Sequence, residues 1–301
     1  MGGKSTLFVL VILVSLGLPA AAQQDSAETL LEQQKAMEAE QGLKPTGSPA
    51  LGNLEGIDGT MPYLFVAVDE VTEYATAVDI GDNMFTQLFT GTDPWGAAII
   101  PGVNPGDAVV FFTSGFELYR WQSGAPVLCC NLTYQAANHS VVSAAYNAVT
   151  EELYFSRNIS TEAIYSLAVP GGVCPASCEV SQDIVYPSTA DIGGLAYDSV
   201  GGVLYGTDDG ANDSLVRINN DGTLTVLAAY PAGETDIDGL AYGDGMLYLV
   251  TDEPGSIYVY DIAGAAYGTP LTNPWTTSEI FSAGAYGTGL VPVLLQSLTV
   301  E

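Results

Sequence analysis

Two stretches of the chain repeat one another and decide the fold: Leu195-Ala-Tyr-Asp-Ser-Val-Gly-Gly-Val-Leu-Tyr-Gly-Thr-Asp208 and Leu240-Ala-Tyr-Gly-Asp-Gly-Met-Leu-Tyr-Leu-Val-Thr-Asp252. An earlier copy covers residues 144–156, and a weaker copy covers residues 98–113. The equivalent positions are 46, 51 and 45 residues apart when the repeats are aligned on Ile100, Tyr146, Tyr197 and Tyr242. A period in this range indicates an array of supersecondary units.

Each repeat contains four short apolar segments, which in the clearest copy are residues 194–197, 203–206, 215–218 and 223–229. Asn220-Asp221-Gly222 separates the last two, and Asp-Gly between apolar runs predicts a β-hairpin because the turn requires positive φ. Four antiparallel strands per 45 residues are typical of one blade of a β-propeller. Helical and leucine-rich solenoids are excluded, since neither helical periodicity nor a leucine ladder is present.

Complete repeats lie near residues 96–133, 143–186, 194–230 and 239–281. Three further strands are predicted at residues 63–68, 74–80 and 86–90, and one or two at residues 291–300. The simplest closure completes the first blade with the C-terminal strand. The sequence therefore predicts an all-β fold, a propeller of about five four-stranded blades within residues 54–301. Six blades would follow if residues 51–57 and the tail after residue 283 supplied more strands.

The first 22 residues have the pattern of a secretory signal peptide. Lys4 precedes an apolar run over residues 7–18, and Pro19 and three alanines follow it. The alternative, a membrane anchor, requires about 20 apolar residues. We expect cleavage after Ala22 and a secreted or periplasmic protein. Residues 23–53 are polar and then rich in Pro and Gly, which predicts a leader helix or a flexible arm, followed by a linker.

The chain is strongly acidic. Without residues 1–22 it carries 35 acidic and five basic residues, a net charge of 5 − 35 = −30. Such a surface repels phosphate backbones and anionic lipids, which excludes nucleic acid as a partner. Two interpretations remain open, namely solubility in a salty medium and the binding of divalent cations.

Four cysteines occur in two pairs, Cys129-Cys130 and Cys174 with Cys178. An even number in an exported protein indicates disulfides, with three connectivities to choose from. Zinc is the alternative, but neither spacing matches the usual two-residue spacer of zinc ligands.

Acidic residues recur just before the innermost strand of a blade, where they would meet at one mouth of the central channel. They are Asp191, Asp236 and Asp238, with Asp58 as a further candidate. Several such carboxylates could hold calcium, or two of them could catalyse hydrolysis as acid and base. The alternative is that each caps a turn. The loop over residues 208–213 is a second acidic cluster, interpreted either as a small calcium loop or as a solvated hairpin loop.

Aromatic residues offer a third kind of candidate site. The tyrosines that recur in register predict packing between blades, whereas Trp95 and Trp275 follow prolines in loops and are candidates for stacking on a sugar. His139 is the only histidine, so a histidine-rich metal centre is excluded.

The Leu-Tyr-Leu-Val-Thr-Asp and Leu-Tyr-Gly-Thr-Asp strands resemble those of extracellular propellers with Tyr-Trp-Thr-Asp repeats. The pairing of a Leu-Tyr strand with a strand such as Leu-Val-Arg-Ile is similar to the gluconolactonase-like propellers. The resemblance covers roughly residues 60 to 300 and implies the fold only, since the tryptophan of the first motif is missing and no lactonase metal ligand matches. We expect a binding or scaffold propeller that presents loops to a glycan, a peptide or a surface partner, with calcium as a structural ion. The alternative is a calcium-dependent hydrolase or lactonase that uses the channel acids.

Overall fold

The structure is a computed structural model that describes residues 61–69, 74–157, 162–210, 213–231, 233–276 and 278–290. These residues form five antiparallel sheets arranged as the blades of a propeller. The predicted signal peptide, the leader segment 23–53 and Asp58 lie outside the described residues. No helix among the described residues is long and apolar enough to cross a membrane.

The first blade joins the two ends of the described chain. Its strands are β1 (Pro62–Val68), β2 (Tyr74–Asp79), β3 (Phe85–Thr90) and β23 (Ser282–Thr288), in the order β23-β1-β2-β3. Seven consecutive residue pairs join β23 to β1, from Pro62 opposite Thr288 to Val68 opposite Ser282. The ring is therefore closed by the last described strand.

The other four blades use consecutive strands. The second blade contains β4 (Gly96–Ile100), β5 (Val109–Ser114), β6 (Glu117–Trp121) and β7 (Val127–Asn131), and the third contains β10 (Ser143–Asn147), β11 (Glu152–Arg157), β12 (Ala163–Ala168) and β13 (Ser181–Val185). The fourth blade contains β14 (Ile192–Asp198), β15 (Val203–Asp208), β16 (Ser214–Ile218) and β17 (Leu224–Ala229). The fifth blade contains β18 (Gly239–Gly243), β19 (Met246–Val250), β20 (Ser256–Asp261), β21 (Ala266–Tyr267) and β22 (Leu271–Thr272). In the fifth blade the outermost position is shared, since β21 and β22 both pair with β20.

Burial falls from the inside of each blade to the outside. The inner strand β18 is buried at four of its five positions, whereas the outer strands β13 and β17 have no buried residue. An inner strand is covered on both faces by the neighbouring blades, so its sequence is a nearly continuous apolar run. Each pair of neighbouring blades encloses one apolar cluster, and the cluster between the fifth and first blades includes Leu64, Tyr248 and Trp275.

Two details of the predicted fold need correction. The closing strand is Ser282–Thr288, whereas the sequence pattern assigned it to residues 291–300, which lie outside the described residues. The residue equivalent to Tyr146 in the second blade is Ile99 rather than Ile100. Ile99 pairs with Val110 and packs toward the first blade, just as Tyr146 pairs with Leu153 and packs toward the second.

Both disulfides join the second blade to the third. Cys129 is bonded to Cys174 and Cys130 to Cys178, so adjacent cysteines of β7 hold the connection between β12 and β13. That connection includes the short 3₁₀ turn Pro170–Gly172. The hairpin of β8 (Thr133–Tyr134) and β9 (Ala137–Asn138) lies beside it. The predicted disulfides are therefore present, with the connectivity that the sequence alone left open.

The alternating strand direction sorts the loops onto two faces. Inner strands begin at one mouth of the channel, called the acidic mouth because Asp236 and Asp238 precede β18 there. They end at the other, called the tyrosine mouth because inner-strand tyrosines such as Tyr242 lie there. Turns between first and second strands, and between third and fourth strands, therefore lie on the tyrosine face. Loops between second and third strands, and between successive blades, lie on the acidic face.

Candidate functional site

Three carboxylates converge at the acidic mouth. Oxygen atoms of Asp209, Asp236 and Asp238 all lie within 4.8 Å of one another. Asp236 and Asp238 precede β18, and Asp209 directly follows β15 of the neighbouring blade. The sequence predicted Asp236 and Asp238 as candidate metal ligands, whereas Asp209 belonged to the separate acidic cluster in the loop over residues 208–213.

Asp209 is held by the fifth blade as well as by its own. Its Oδ1 accepts hydrogen bonds from the Tyr230 hydroxyl at 2.6 Å and from the Ile237 backbone N–H at 3.0 Å. Its backbone N–H donates to the carbonyl of Asp191 at 2.8 Å. Burial and then the charge of Asp236 raise the pKa of this carboxyl well above its usual range. The loop between the second and third strands of the fourth blade is thus held in place, and a carboxylate oxygen of Asp209 lies near those of Asp236 and Asp238.

Asp238 is the most enclosed member of the cluster, with 5% of its surface exposed. Burial raises the pKa of its carboxyl well above the usual range, and the charges of Asp236, Asp209, Asp252 and Asp69 act in the same direction. Burial and the neighbouring Glu253 also raise the pKa of Asp252, to about 9. The acidic mouth therefore concentrates negative charge in a poorly solvated place.

Asp191, the remaining described candidate, is beside this cluster rather than in it. Its backbone N–H donates to Oδ1 of Asp208 at 2.9 Å, and Asp208 also accepts from the N–H of Gly210 at 3.2 Å. The charge of Asp191 contributes a smaller part of the raised pKa of Asp209. Asp208 thus caps a turn of the loop that the sequence marked as acidic, while the next residue, Asp209, reaches the channel.

The opposite mouth is surrounded by tyrosines. Four of the five inner strands carry a half-buried tyrosine at the equivalent position, and Ile99 occupies the fifth; the tyrosines, here called the tyrosine ring, are Tyr146, Tyr197, Tyr242 and Tyr286. They line a cavity with an empty volume of about 300 Å³. One residue deeper, all five strands carry alanine, and these small side chains leave the channel open: Ala98, Ala145, Ala196, Ala241 and Ala285.

Neighbouring blades support the tyrosine ring by aromatic contacts. The ring centroids of Tyr205 and Tyr242 are 5.8 Å apart and those of Tyr248 and Tyr286 are 5.9 Å apart, both in stacked geometry. Tyr205 and Tyr248 are buried. The second-strand tyrosines therefore pack between blades as predicted. The first-strand tyrosines pack between blades as well, and they also line the mouth.

Exposed apolar side chains concentrate on the tyrosine face. Val103, Val149 and Val200 lie on the first turns of the second, third and fourth blades, and Val173 follows the 3₁₀ turn of the third; their exposed fractions are 86%, 75%, 100% and 63%. Every exposed large apolar residue in a loop of the described chain lies on this face. The others belong to outermost strands.

The two predicted tryptophans are buried. Trp95 and Trp275 each have 4% of their surface exposed. Trp95 stacks on Phe281 with centroids 4.6 Å apart, and Nε1 of Trp275 donates to the carbonyl of Glu253 at 3.1 Å. Neither indole ring offers a free face for a sugar in this structure. His139, predicted as a loop residue, is also buried.

Comparisons with known proteins give structural matches of low identity only. No family model and no curated protein matches the chain. Among the solved structures that resemble it are the following two. A chain of a nidogen/laminin complex matches with a TM-score of 0.49 and 14% identity over 76% of this chain and 99% of that chain. The selenomethionine-substituted virginiamycin B lyase of Staphylococcus aureus matches with a TM-score of 0.38 and 15% identity over 65% of this chain and 62% of that chain. The architecture, five four-stranded antiparallel blades in a closed ring, is that of a β-propeller.

Proposed function

We propose that this protein is a secreted binding propeller whose tyrosine mouth receives a lysine or arginine side chain from a peptide segment of a partner protein. The main observation behind this proposal is the cavity of about 300 Å³, which is lined by the four tyrosines of the tyrosine ring. Tyrosine faces attract cations through the negative charge of the π-system when the cation lies within about 6 Å of the ring centroid.

Carboxylates at the rim support a cationic ligand. The Tyr286 hydroxyl donates a hydrogen bond to Oδ2 of Asp244. Burial first, and then the charge of Asp198, raise the pKa of Tyr242 to about 12. The rings are therefore neutral at physiological pH and are accompanied by negative charge. The whole chain has a net charge of −29, which increases the local concentration of basic partners.

The exposed valines on the same face provide apolar contacts for residues that flank the basic side chain. A second copy of this chain does not fit as the partner, since two chains of net charge −29 repel each other. A glycan is less suitable than a peptide, because the two tryptophans predicted to stack on a sugar are buried. The two disulfides are typical of proteins that fold outside the cytoplasm, which supports secretion.

The proposal can be tested by fluorescence anisotropy with nine-residue peptides that carry a central lysine between valines. The matched probe has acetyl-lysine at the centre, and both are measured at about 0.15 M salt so that long-range attraction is screened. We expect the lysine peptide to bind and the acetyl-lysine peptide to bind at least fivefold more weakly. Tyr197→Leu should weaken lysine binding by about 5- to 30-fold, corresponding to about 1–2 kcal/mol.

Two further variants make the result specific. Tyr197→Phe keeps the π-face and should retain binding within about threefold. Tyr258→Leu removes a half-buried tyrosine of β20 that does not line the cavity, and it should leave binding unchanged. Equal binding of the two peptides, or binding of a glycan at the tyrosine ring while the lysine peptide does not bind, would overturn the proposal.

A further inference from the structure

Asp238 stands out from the other turn and loop acids of the described chain. Asp198 and Asp261 each accept two backbone N–H groups with Oδ1, which is the ordinary role of aspartate in a turn. Asp238 is 95% buried, and within the part of the chain that the structure describes no group donates a hydrogen bond to its carboxylate. An enclosed carboxylate without a donor is costly unless something else compensates it.

The surroundings of Asp238 supply other carboxylates rather than compensation. Its oxygen lies within 4.8 Å of oxygens of Asp209 and Asp236. Ligand oxygens lie about 2.4 Å from a bound calcium ion, so two of them on opposite sides of the ion are about 4.8 Å apart. The three carboxylates are therefore close enough to contact one ion together.

The backbone of the neighbouring blade leaves room for this cluster. Gly193 lies in the inner strand of the fourth blade, β14, at the position that Asp238 has directly before β18 in the fifth. A Cβ atom on Gly193 would lie 2.4 Å from Oδ2 of Asp209 and 2.6 Å from Oδ1 of Asp238. Any larger residue would displace these two oxygens, so glycine is required for both to point to the same place.

Asp209 is also oriented in advance. The hydroxyl of Tyr230 and the N–H of Ile237 hold its Oδ1, which directs Oδ2 toward Gly193 and Asp238. Hydrogen bonds that fix the second oxygen of a ligand carboxylate are a common feature of metal sites. The arrangement thus combines a fixed ligand, a buried ligand and an exposed ligand, Asp236.

We infer that Asp209, Asp236 and Asp238 bind a hard divalent cation of the calcium class, which joins the fourth and fifth blades at the acidic mouth. Water and backbone carbonyls would complete its coordination, since calcium takes six to eight oxygen ligands. The site uses the mouth opposite the tyrosine ring, so its test does not depend on the proposed peptide binding.

The experiment is calorimetric titration of the full protein with CaCl₂ and, separately, MgCl₂, after dialysis against a chelator and at constant ionic strength. Melting temperature is measured in parallel. We expect one calcium site per chain, a higher melting temperature with calcium, and weaker binding of magnesium. Asp238→Asn should weaken calcium binding at least 100-fold, yet it should melt at the same or a higher temperature than the wild type in chelator, because a buried charge is removed.

Matched controls separate the site from general attraction to an acidic surface. Asp261→Asn changes an acid on the opposite face and should retain the site. Gly193→Ala should reduce calcium binding at least tenfold, whereas Gly268→Ala, whose Cβ would meet nothing closer than 3.8 Å, should not. The inference is overturned if calcium neither binds nor raises the melting temperature, if Asp238→Asn binds calcium like the wild type, or if magnesium binds more tightly than calcium.

Discussion

Nη1 of Arg157 lies 2.8 Å from Nδ1 of His139, and both side chains are buried. A guanidinium group can only donate, so Nδ1 is the acceptor and the ring carries its proton on Nε2. Burial first, and then the charge of Arg157, lower the pKa of His139 to about 3. The rings of Tyr134 and Tyr165 pack against the imidazole. Protonation would place a second positive charge beside the guanidinium and remove its acceptor.

This pair predicts a loss of stability in mild acid. Between the folded pKa of about 3 and the ordinary value of 6.5, the unfolded chain binds more protons than the folded one. The contribution of His139 is therefore complete above pH 6.5 and is lost as the pH falls toward 3, by up to about 1.4 kcal/mol per pH unit. In His139→Asn the amide oxygen can accept from Arg157, so this dependence should disappear.

Urea unfolding of both proteins at pH 7, 6 and 5 measures the effect. The difference in the free energy of unfolding between variant and wild type isolates His139 from carboxyls such as Asp252, whose raised pKa acts in the opposite direction. A difference that stays constant with pH would contradict the prediction.

The paired disulfides should act as partly redundant links. Each closes a long loop, with sequence separations of 45 and 48 residues. Once one bond is formed, the other closes only a ring of a few residues. Chain-entropy estimates then give a cost of about 2 kcal/mol for Cys129→Ala with Cys174→Ala and about 6 kcal/mol when all four cysteines are replaced. Denaturant unfolding tests this, and redundancy is excluded if the losses from the two single-bond removals add up to the loss from removing both bonds.

Two glycines allow backbone conformation to be separated from steric contact. Gly222 has φ +83° and Gly245 has φ +78°, both in the left-handed region. A Cβ on Gly222 would lie 2.0 Å from the carbonyl oxygen of Val185 in the neighbouring blade, whereas one on Gly245 would meet nothing within 4 Å. We expect Gly245→Ala to cost about 1 kcal/mol from conformation alone. Gly222→Ala should cost at least about 2 kcal/mol more, from contact with the third blade. Thermal unfolding of the two variants measures the difference, and equal losses would show that the blades separate easily at this contact.

Asp69 joins the end of β1 to the start of the closing strand β23. Its Oδ1 accepts backbone N–H groups of Ile280 at 3.0 Å and Phe281 at 2.7 Å, and its own N–H donates to the carbonyl of Phe281 at 3.1 Å. Asp69→Ala leaves a buried donor of Phe281 and a half-buried donor of Ile280 without their acceptor, so we expect a loss of about 2–4 kcal/mol. Asp69→Asn keeps an acceptor and should lose less than half as much. Limited proteolysis should cut near residue 280 faster in Asp69→Ala, and equal cleavage rates would exclude this role.

Sequence periodicity predicted the all-β class, the number of blades and most strand positions, because an inner strand buried on both faces has a recognisable apolar pattern. The closing strand was missed although Ala283-Gly-Ala-Tyr286 ends in the same Ala-Tyr pair, preceded by small residues, as the inner strand of the third blade. A closing strand lies in the blade of the opposite chain end, so no adjacent second strand of its own repeat identifies it.

The candidate cation cluster was predictable only in part. Asp236 and Asp238 were recognisable from their place before an inner strand. Asp209 was not, because its contribution depends on how the loop after β15 folds back toward the next blade. Gly193 gave no signal either, since the reason for glycine there is the position of two carboxylates distant in sequence.

Ile99, which stands with the four tyrosines around the mouth, affects how a ligand is oriented there. Five blades give the channel approximate fivefold rotational symmetry, and a complete ring of identical residues would accept a ligand equally well in five orientations. Ile99 removes one π-face and leaves an aliphatic wall, so the five orientations differ in energy. A single aliphatic side chain thereby makes the cavity asymmetric, and a bound peptide would cross the mouth in one preferred direction.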